Sequence, residues 1–168
     1  MKGSFFSTQA RIDQLNRAAE GWLGTPFHPN AMVKGRGVSC QMLVAAVLIE
    51  CGHLRISEVP SGPMDWHGST SIIEHQLDVV HAGQFESIFG DPTGEGRSHP
   101  QPPPVGLPVL SPGDVVGFRL HGTVHHCGLA VTPELFIHVL RHSAVCVMPI
   151  NDAVWLSRLK RVWRPVES

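Results

Sequence analysis

Cys40 stands at the mouth of GVSCQMLVAAVLIECG, residues 37 to 52, a stretch that is otherwise almost wholly apolar. A purely structural cysteine would more naturally lie inside such a run. At the start of a helix, unpaired backbone N–H groups and the positive end of the helix dipole favour a thiolate over a thiol. A thiolate is a nucleophile. For turnover it needs a proton acceptor, and an imidazole brought from a distant part of the chain is the usual solution.

The second half of the sequence supplies imidazoles. In VHHCGLAV, residues 124 to 131, strand alternation puts His125, Cys127, Leu129 and Val131 on one face and Val124, His126, Gly128 and Ala130 on the other. The first set carries the apolar bulk and is expected to face the core. His126 then shares its face with two small residues that let another element or a substrate approach. After the turn at 132 to 134, the run LFIHVL places Phe136, His138 and Leu140 on one face. If the two strands form a hairpin, His126 and His138 share a face with Cβ atoms about 5 to 8 Å apart. His138 could then orient the His126 ring.

Each residue taken singly also has a structural reading, because a cysteine at a helix start is commonly inert and a strand histidine is commonly just satisfied or exposed. His121, His125, His126, His138 and His142 together raise a zinc site, which needs three or four ligands. Alternation scatters these rings over both strand faces, so neither a metal nor another cofactor is expected.

These side chains need a scaffold. Residues 7 to 23 read as an amphipathic helix that Ser7 can cap, with Ile12, Leu15, Ala19 and Trp22 at helical spacing and Gly24 and Pro26 ending it. Gln41 to Ile49 is apolar nearly all round and reads as a buried helix stopped at Gly52. A further amphipathic helix is expected over 71 to 83, with Phe85, Ile88 and Phe89 continuing its contact with the core. Residues 91 to 113 collect prolines and glycines and read as a semi-rigid surface connection. Short strands are expected at 114–120, 124–131, 135–140 and 144–150, with another near the end. The plan is one α+β domain over 1–168: a helical part to about 90, the connection at about 91–113, and a β part over about 114–166.

Composition bounds the function. The chain of 168 residues is long enough for one domain with a sizeable core. A net charge of -1 gives no basic footprint for nucleic acid or an anionic membrane. No window reaches the roughly 18 apolar residues of a membrane span, and the amino terminus lacks the apolar stretch of a signal peptide. Cys40, Cys51, Cys127 and Cys146 show no C-x-x-C pair or dense framework and are read as thiols.

The order GTPF, GVSCQMLV, LSPGDVVGF, HHCGLAV, FIHVL resembles the NlpC family of papain-like cell-wall cysteine peptidases, from about residue 10 to the end. The segment PMDWHGSTSIIEHQL is similar to one found in members associated with phage tails and gene-transfer particles, which also tend to lack signal peptides. The resemblance implies a papain-like α+β fold, with N-terminal helices packed on a C-terminal antiparallel sheet. It implies Cys40 as nucleophile, His126 as base and His138 as the orienting residue. Phe27, Ser39, Gln41, Asp65, Trp66 and His67 fall at its substrate-binding positions. The implied reaction is hydrolysis of an amide in the peptidoglycan stem peptide, between γ-D-glutamate and the diamino acid after it. The implied partners are that peptide and phage-tail-like proteins, and the implied location is the cytoplasm or a phage-like particle. Here Ser39 and Gln41 flank the cysteine where the family usually has Asp and Ser, and Phe27 replaces a tyrosine. Those changes fall on substrate recognition and keep three alternatives in view: an amidase, an acyl-transfer enzyme on the same scaffold, and an inactive binding or assembly module.

Overall fold

A computed structural model describes residues 2–58, 71–90, 106, 108–120 and 122–167. Helix α1, Gln9–Trp22, buries Leu15, Ala18, Ala19 and Trp22. Its cap is Thr8 rather than the expected Ser7, because the Thr8 hydroxyl oxygen is the one that accepts from Arg11 N–H. The following loop holds a two-stranded ribbon, β1 (Met32–Val33) and β2 (Gly37–Val38), where the sequence suggested only loop.

Helix α2, Cys40–Glu50, is the expected buried helix. Seven of its eleven residues are buried, so it has no solvent face to speak of and must sit inside the molecule. Leu43, Val47 and Leu48 are fully covered; each such side chain contributes about 1.5–3 kcal/mol of burial.

The expected helix over 71 to 83 is shorter. Helix α3, Ile72–His75, capped by Ser71, passes into a π-helical turn at Gln76–Val80. Phe85–Phe89 is a strand, β3, and not a continuation of helical packing. It completes a sheet edge by pairing with the far end of the chain, a long-range partner that local sequence cannot announce.

The remaining strands are β4 (Val115–Leu120), β5 (Thr123–Ala130), β6 (Leu135–His138), β7 (Cys146–Pro149) and β8 (Leu159–Pro165). They form an antiparallel sheet of order β3-β8-β4-β5-β6-β7. A short helix, α4 (Ala153–Arg158), precedes β8. The larger core lies between α1, α2 and one sheet face, where Val115, Cys127, Leu129 and Ile137 meet Leu15, Leu43 and Val47. The other face carries Val116, Phe118, Ala130, Phe136 and Val162, covered by Trp155 of α4. This layering is α+β, as the sequence implied.

The turn before β4 shows why Pro-Gly-Asp stands there. Gly113 has φ +90, and a Cβ on it would run into the Phe6 ring. Asp114 is fully buried, accepts from Ser111 N–H, and pairs with Arg164 at 2.8 Å. The turn therefore ties β4 to β8 before β4 leads into the site. Among the described residues, no helix is long and apolar enough to cross a membrane.

Candidate active site

The N-terminus of α2 presents Cys40 to β5. Ser39 caps the helix by accepting from Met42 N–H at 3.4 Å and is itself buried. Strands β5 and β6 pair only at Leu129–Ile137 and Ala130–Phe136, and then part. Parting frees the Cys127 N–H from the ladder, and that N–H favours the charged form of the Cys40 sulfur. The Cys127 thiol and the His126 ring also favour the charged form of that sulfur.

His126 meets His138 on its other side: Nε2 of His126 lies 2.9 Å from Nδ1 of His138. Continuing the register by one step puts His138 across from Gly128, so His126 is its diagonal neighbour. Gly128 is required because a Cβ there would strike the Ile137 carbonyl and the Phe136 ring, each at 2.7 Å. The space beside His126 is thus taken by another element.

One part of the alternation is corrected. The β4–β5 pairing shifts between Phe118 and Arg119, which oppose His126 and Val124, and leaves His125 as the extra residue of a bulge. Val124 therefore joins Cys127, Leu129 and Val131 in the core, while His125 is half-buried and meets the Thr123 hydroxyl at 2.6 Å. Without that bulge, one face could not hold both Val124 and Cys127.

The two histidines are enclosed by aromatic rings. Phe118 lies 5.9 Å from the His126 ring, and Trp155 lies 5.4 Å from His126 and 4.7 Å from His138. Phe136 closes the cage at 5.0 Å from His138. Sequence reasoning missed Trp155. The signal was Asp152, whose carboxylate caps α4 by accepting from Val154 and Trp155 N–H.

Electrostatics divide the groups by role. The Cys127 thiol, then the hydrogen bond and charge of His126, hold Cys40 well below the ordinary thiol range against the opposing effect of burial. Cys127 is pushed the other way by its bond to Cys40 and by burial. Of the pair, the site favours the charged form at Cys40 and the neutral form at Cys127. Burial, then the charge of His126, pushes His138 down to about 4, so His138 is neutral at pH 7. With Nδ1 of neutral His138 as the acceptor, Nε2 of His126 is the donor, which leaves Nδ1 of His126 for the sulfur. Such an arrangement can hold a thiolate–imidazolium pair and pass a proton.

Of the expected substrate-binding residues, Phe27 is half-buried beside β2 and bonded through its N–H to the Ser143 carbonyl. Gln41 lines a cavity of about 70 Å³ together with Met42, Leu77, Phe85, Val115 and Cys127. Asp65, Trp66 and His67 lie outside the described residues. Among the described residues, no three His, Cys, Asp or Glu side chains gather in a metal-ligand arrangement.

Solved structures share this architecture. An NlpC/P60 family protein from Bacillus cereus aligns with 93% of this chain and 40% of its own, at 17% identity and a TM-score of 0.56. A lipoprotein-like NLP/P60 family protein from Staphylococcus aureus aligns with 99% of this chain and 44% of its own, at 15% identity and a TM-score of 0.61. The NlpC/p60 domain of the peptidoglycan hydrolase SagA aligns over 94% of this chain and 98% of its own, at 14% identity and a TM-score of 0.52. The chain has the NlpC/P60 fold. It spans less than half the length of the first two proteins. No family model matches the sequence, and no curated protein does.

Proposed function

We propose that the protein is a cysteine hydrolase that cleaves an amide bond in peptidoglycan stem peptides, with Cys40, His126 and His138 as its working residues. The observation that carries this is a cysteine at a helix start beside His126, which favours its charged form and is bonded in turn to a second, neutral histidine. The substrate class is supported by SagA, a peptidoglycan hydrolase with the same domain fold, and by the sequence resemblance to cell-wall peptidases.

In this mechanism the Cys40 sulfur attacks the scissile carbonyl carbon. N–H groups at the start of α2, including that of Cys40, stabilise the oxyanion. His126 gives its proton to the leaving amine, and a thioester remains on Cys40. Neutral His126 then takes a proton from water, whose oxygen releases the acid and restores the thiolate. His138 keeps the His126 ring oriented throughout.

The bond assigned is the one between γ-D-glutamate and the diamino acid. Incubating the protein with purified stem peptides and reading products by mass spectrometry tests this. Cleavage at that bond, absent in Cys40→Ala, is the expected result; intact peptides beside a reactive Cys40 would reject the substrate and keep the nucleophile. Action within a phage-like particle is supported by the 63–77 segment of the sequence.

The cavity beside Gln41 and Cys127 favours one second reading. Its lining is apolar and it adjoins the nucleophile's neighbours, as an acyl-transfer enzyme with an apolar acyl group would require. Including apolar acyl esters in the same assay separates the two readings.

A further inference from the structure

Cys127 takes no bond-making or proton-transfer step in the reaction above, yet its side chain and its own backbone N–H both act on the Cys40 sulfur. Both residues are about 3% exposed, belong to one core cluster, and are free thiols. They come from α2 and β5, which pack directly on each other. The cavity that Cys127 lines with Met42 gives the Cys127 side chain room to reorient. Cys51 and Cys146 sit elsewhere, at the end of α2 and on the edge strand β7.

The pair is chemically unequal, because Cys40 is the first residue of α2, where free helix N–H groups favour a nucleophilic thiolate, and Cys127 lies within strand β5. That is the division of labour between a peroxide-reacting and a resolving cysteine. We propose that Cys40 and Cys127 close to a reversible disulfide when the protein meets a hydroperoxide. The Cys40 thiolate attacks the peroxide oxygen and becomes a sulfenic acid, while the peroxide leaves as hydroxide or alkoxide and takes up a proton. The Cys127 sulfur then attacks the Cys40 sulfur, the S–S bond forms, and the sulfenic oxygen departs as water with the Cys127 proton. Two electrons pass from the two thiols to one peroxide. A dithiol reductant reverses the bond and is itself oxidised. Closing two sulfurs of one core cluster to a bond of about 2.05 Å is a local adjustment of two side chains. The disulfide follows from the placement of the sulfurs; its meaning as an off-switch rests on the reading of Cys40 as the nucleophile.

The test treats the reduced protein with hydrogen peroxide, unfolds it in N-ethylmaleimide, and maps tryptic peptides by mass spectrometry with and without dithiothreitol. Cys40 and Cys51 share peptide 37–55, and Cys127 lies in peptide 120–141. The expected product is these two peptides joined, with fragmentation placing the bond at Cys40, and its loss under dithiothreitol. In Cys127→Ala, and equally in Cys127→Ser, Cys40 should run on to sulfinic and sulfonic acid, so dithiothreitol recovers about tenfold less free Cys40 than in the wild type. Wild-type Cys40 reaching sulfonic acid while Cys127 stays free would overturn the proposal. So would equal recovery of Cys40 in wild type and variants. The readout needs no substrate, so failure of the hydrolase reading and failure of this one are separate results.

Discussion

Two buried polar clusters on the same fold are built on opposite electrostatic plans. Arg161 of β8 is almost fully buried and pairs with Asp78 at 2.9 Å and Glu74 at 3.1 Å, also meeting the Ser87 hydroxyl at 3.2 Å. Its guanidinium lies over Trp163, whose ring N–H donates to Asp78 at 2.6 Å. Here a fixed cation is locked by carboxylates, which fastens the α3 segment to the sheet. At Cys40, His126 and His138, the third partner is a neutral imidazole inside an aromatic cage. A carboxylate within reach would hold His126 in its charged form, whereas a neutral acceptor orients the ring and leaves its proton free to move. The comparison teaches that partner type, more than burial, separates a structural ionic cluster from one able to pass protons.

The largest effect is expected from removing the mobile-proton pair itself. Cys40→Ala and His126→Ala should each lower hydrolysis by at least about a thousandfold, with circular dichroism unchanged. Alkylation of Cys40 in His126→Ala should also become slower near pH 6 than in the wild type, because an imidazole bond and charge are lost. Full activity in Cys40→Ala would remove the nucleophile assignment.

The ionic cluster should fail differently. Asp78→Ala leaves a buried guanidinium with fewer anionic partners and should cost about 3 kcal/mol in denaturant unfolding. Alkylation of Cys40 in the folded fraction should not change. A loss of Cys40 reactivity would show that the two clusters are coupled.

His138 offers a way to convert one plan into the other. His138→Ala should lower kcat by about 10- to 100-fold, since the ring loses only its orienting partner. His138→Asp places a carboxylate beside His126, so the alkaline limb of the kcat/KM profile should move to higher pH. An unmoved limb would refute the role given to the neutral partner.

The last effect is on acid stability and leaves turnover aside. His53, wedged against Phe5 and Phe85, and His138 are both pushed down to about 4 by burial, with Glu58 and His81 also acting on His53. An unfolded chain binds these protons near pH 6.5, where the folded chain does not. Stability should therefore fall as pH drops from about 6.5 to about 4. His53→Phe should flatten the decline in denaturant midpoint across that window; an unchanged slope would place the proton uptake elsewhere.

Periodicity made several elements legible. The all-round apolar run of α2, the position of Cys40 at its start, and the alternation within β6 needed no tertiary information. The bulge at His125 was not legible, because the β4 partner imposes it and no turn residue marks it. Strand β3 was hidden for a related reason: Phe85–Phe89 becomes a strand only by pairing with β8, at the opposite end of the chain. Trp155 stood between two expected strands in a stretch given no element, although its Asp152 cap was there to be read.

The sequence by itself determined which groups could do chemistry: a thiol at a helix mouth and two histidines spaced to share a strand face. Helical and strand periods are local properties of the backbone, so they survive in one dimension. Only the tertiary structure decided that β5 and β6 part where Cys40 arrives, freeing the Cys127 N–H and bringing a second thiol to the same sulfur. It alone placed Trp155 over both imidazoles. Long-range packing sets desolvation and partner identity, and these fix the protonation states on which the chemistry depends.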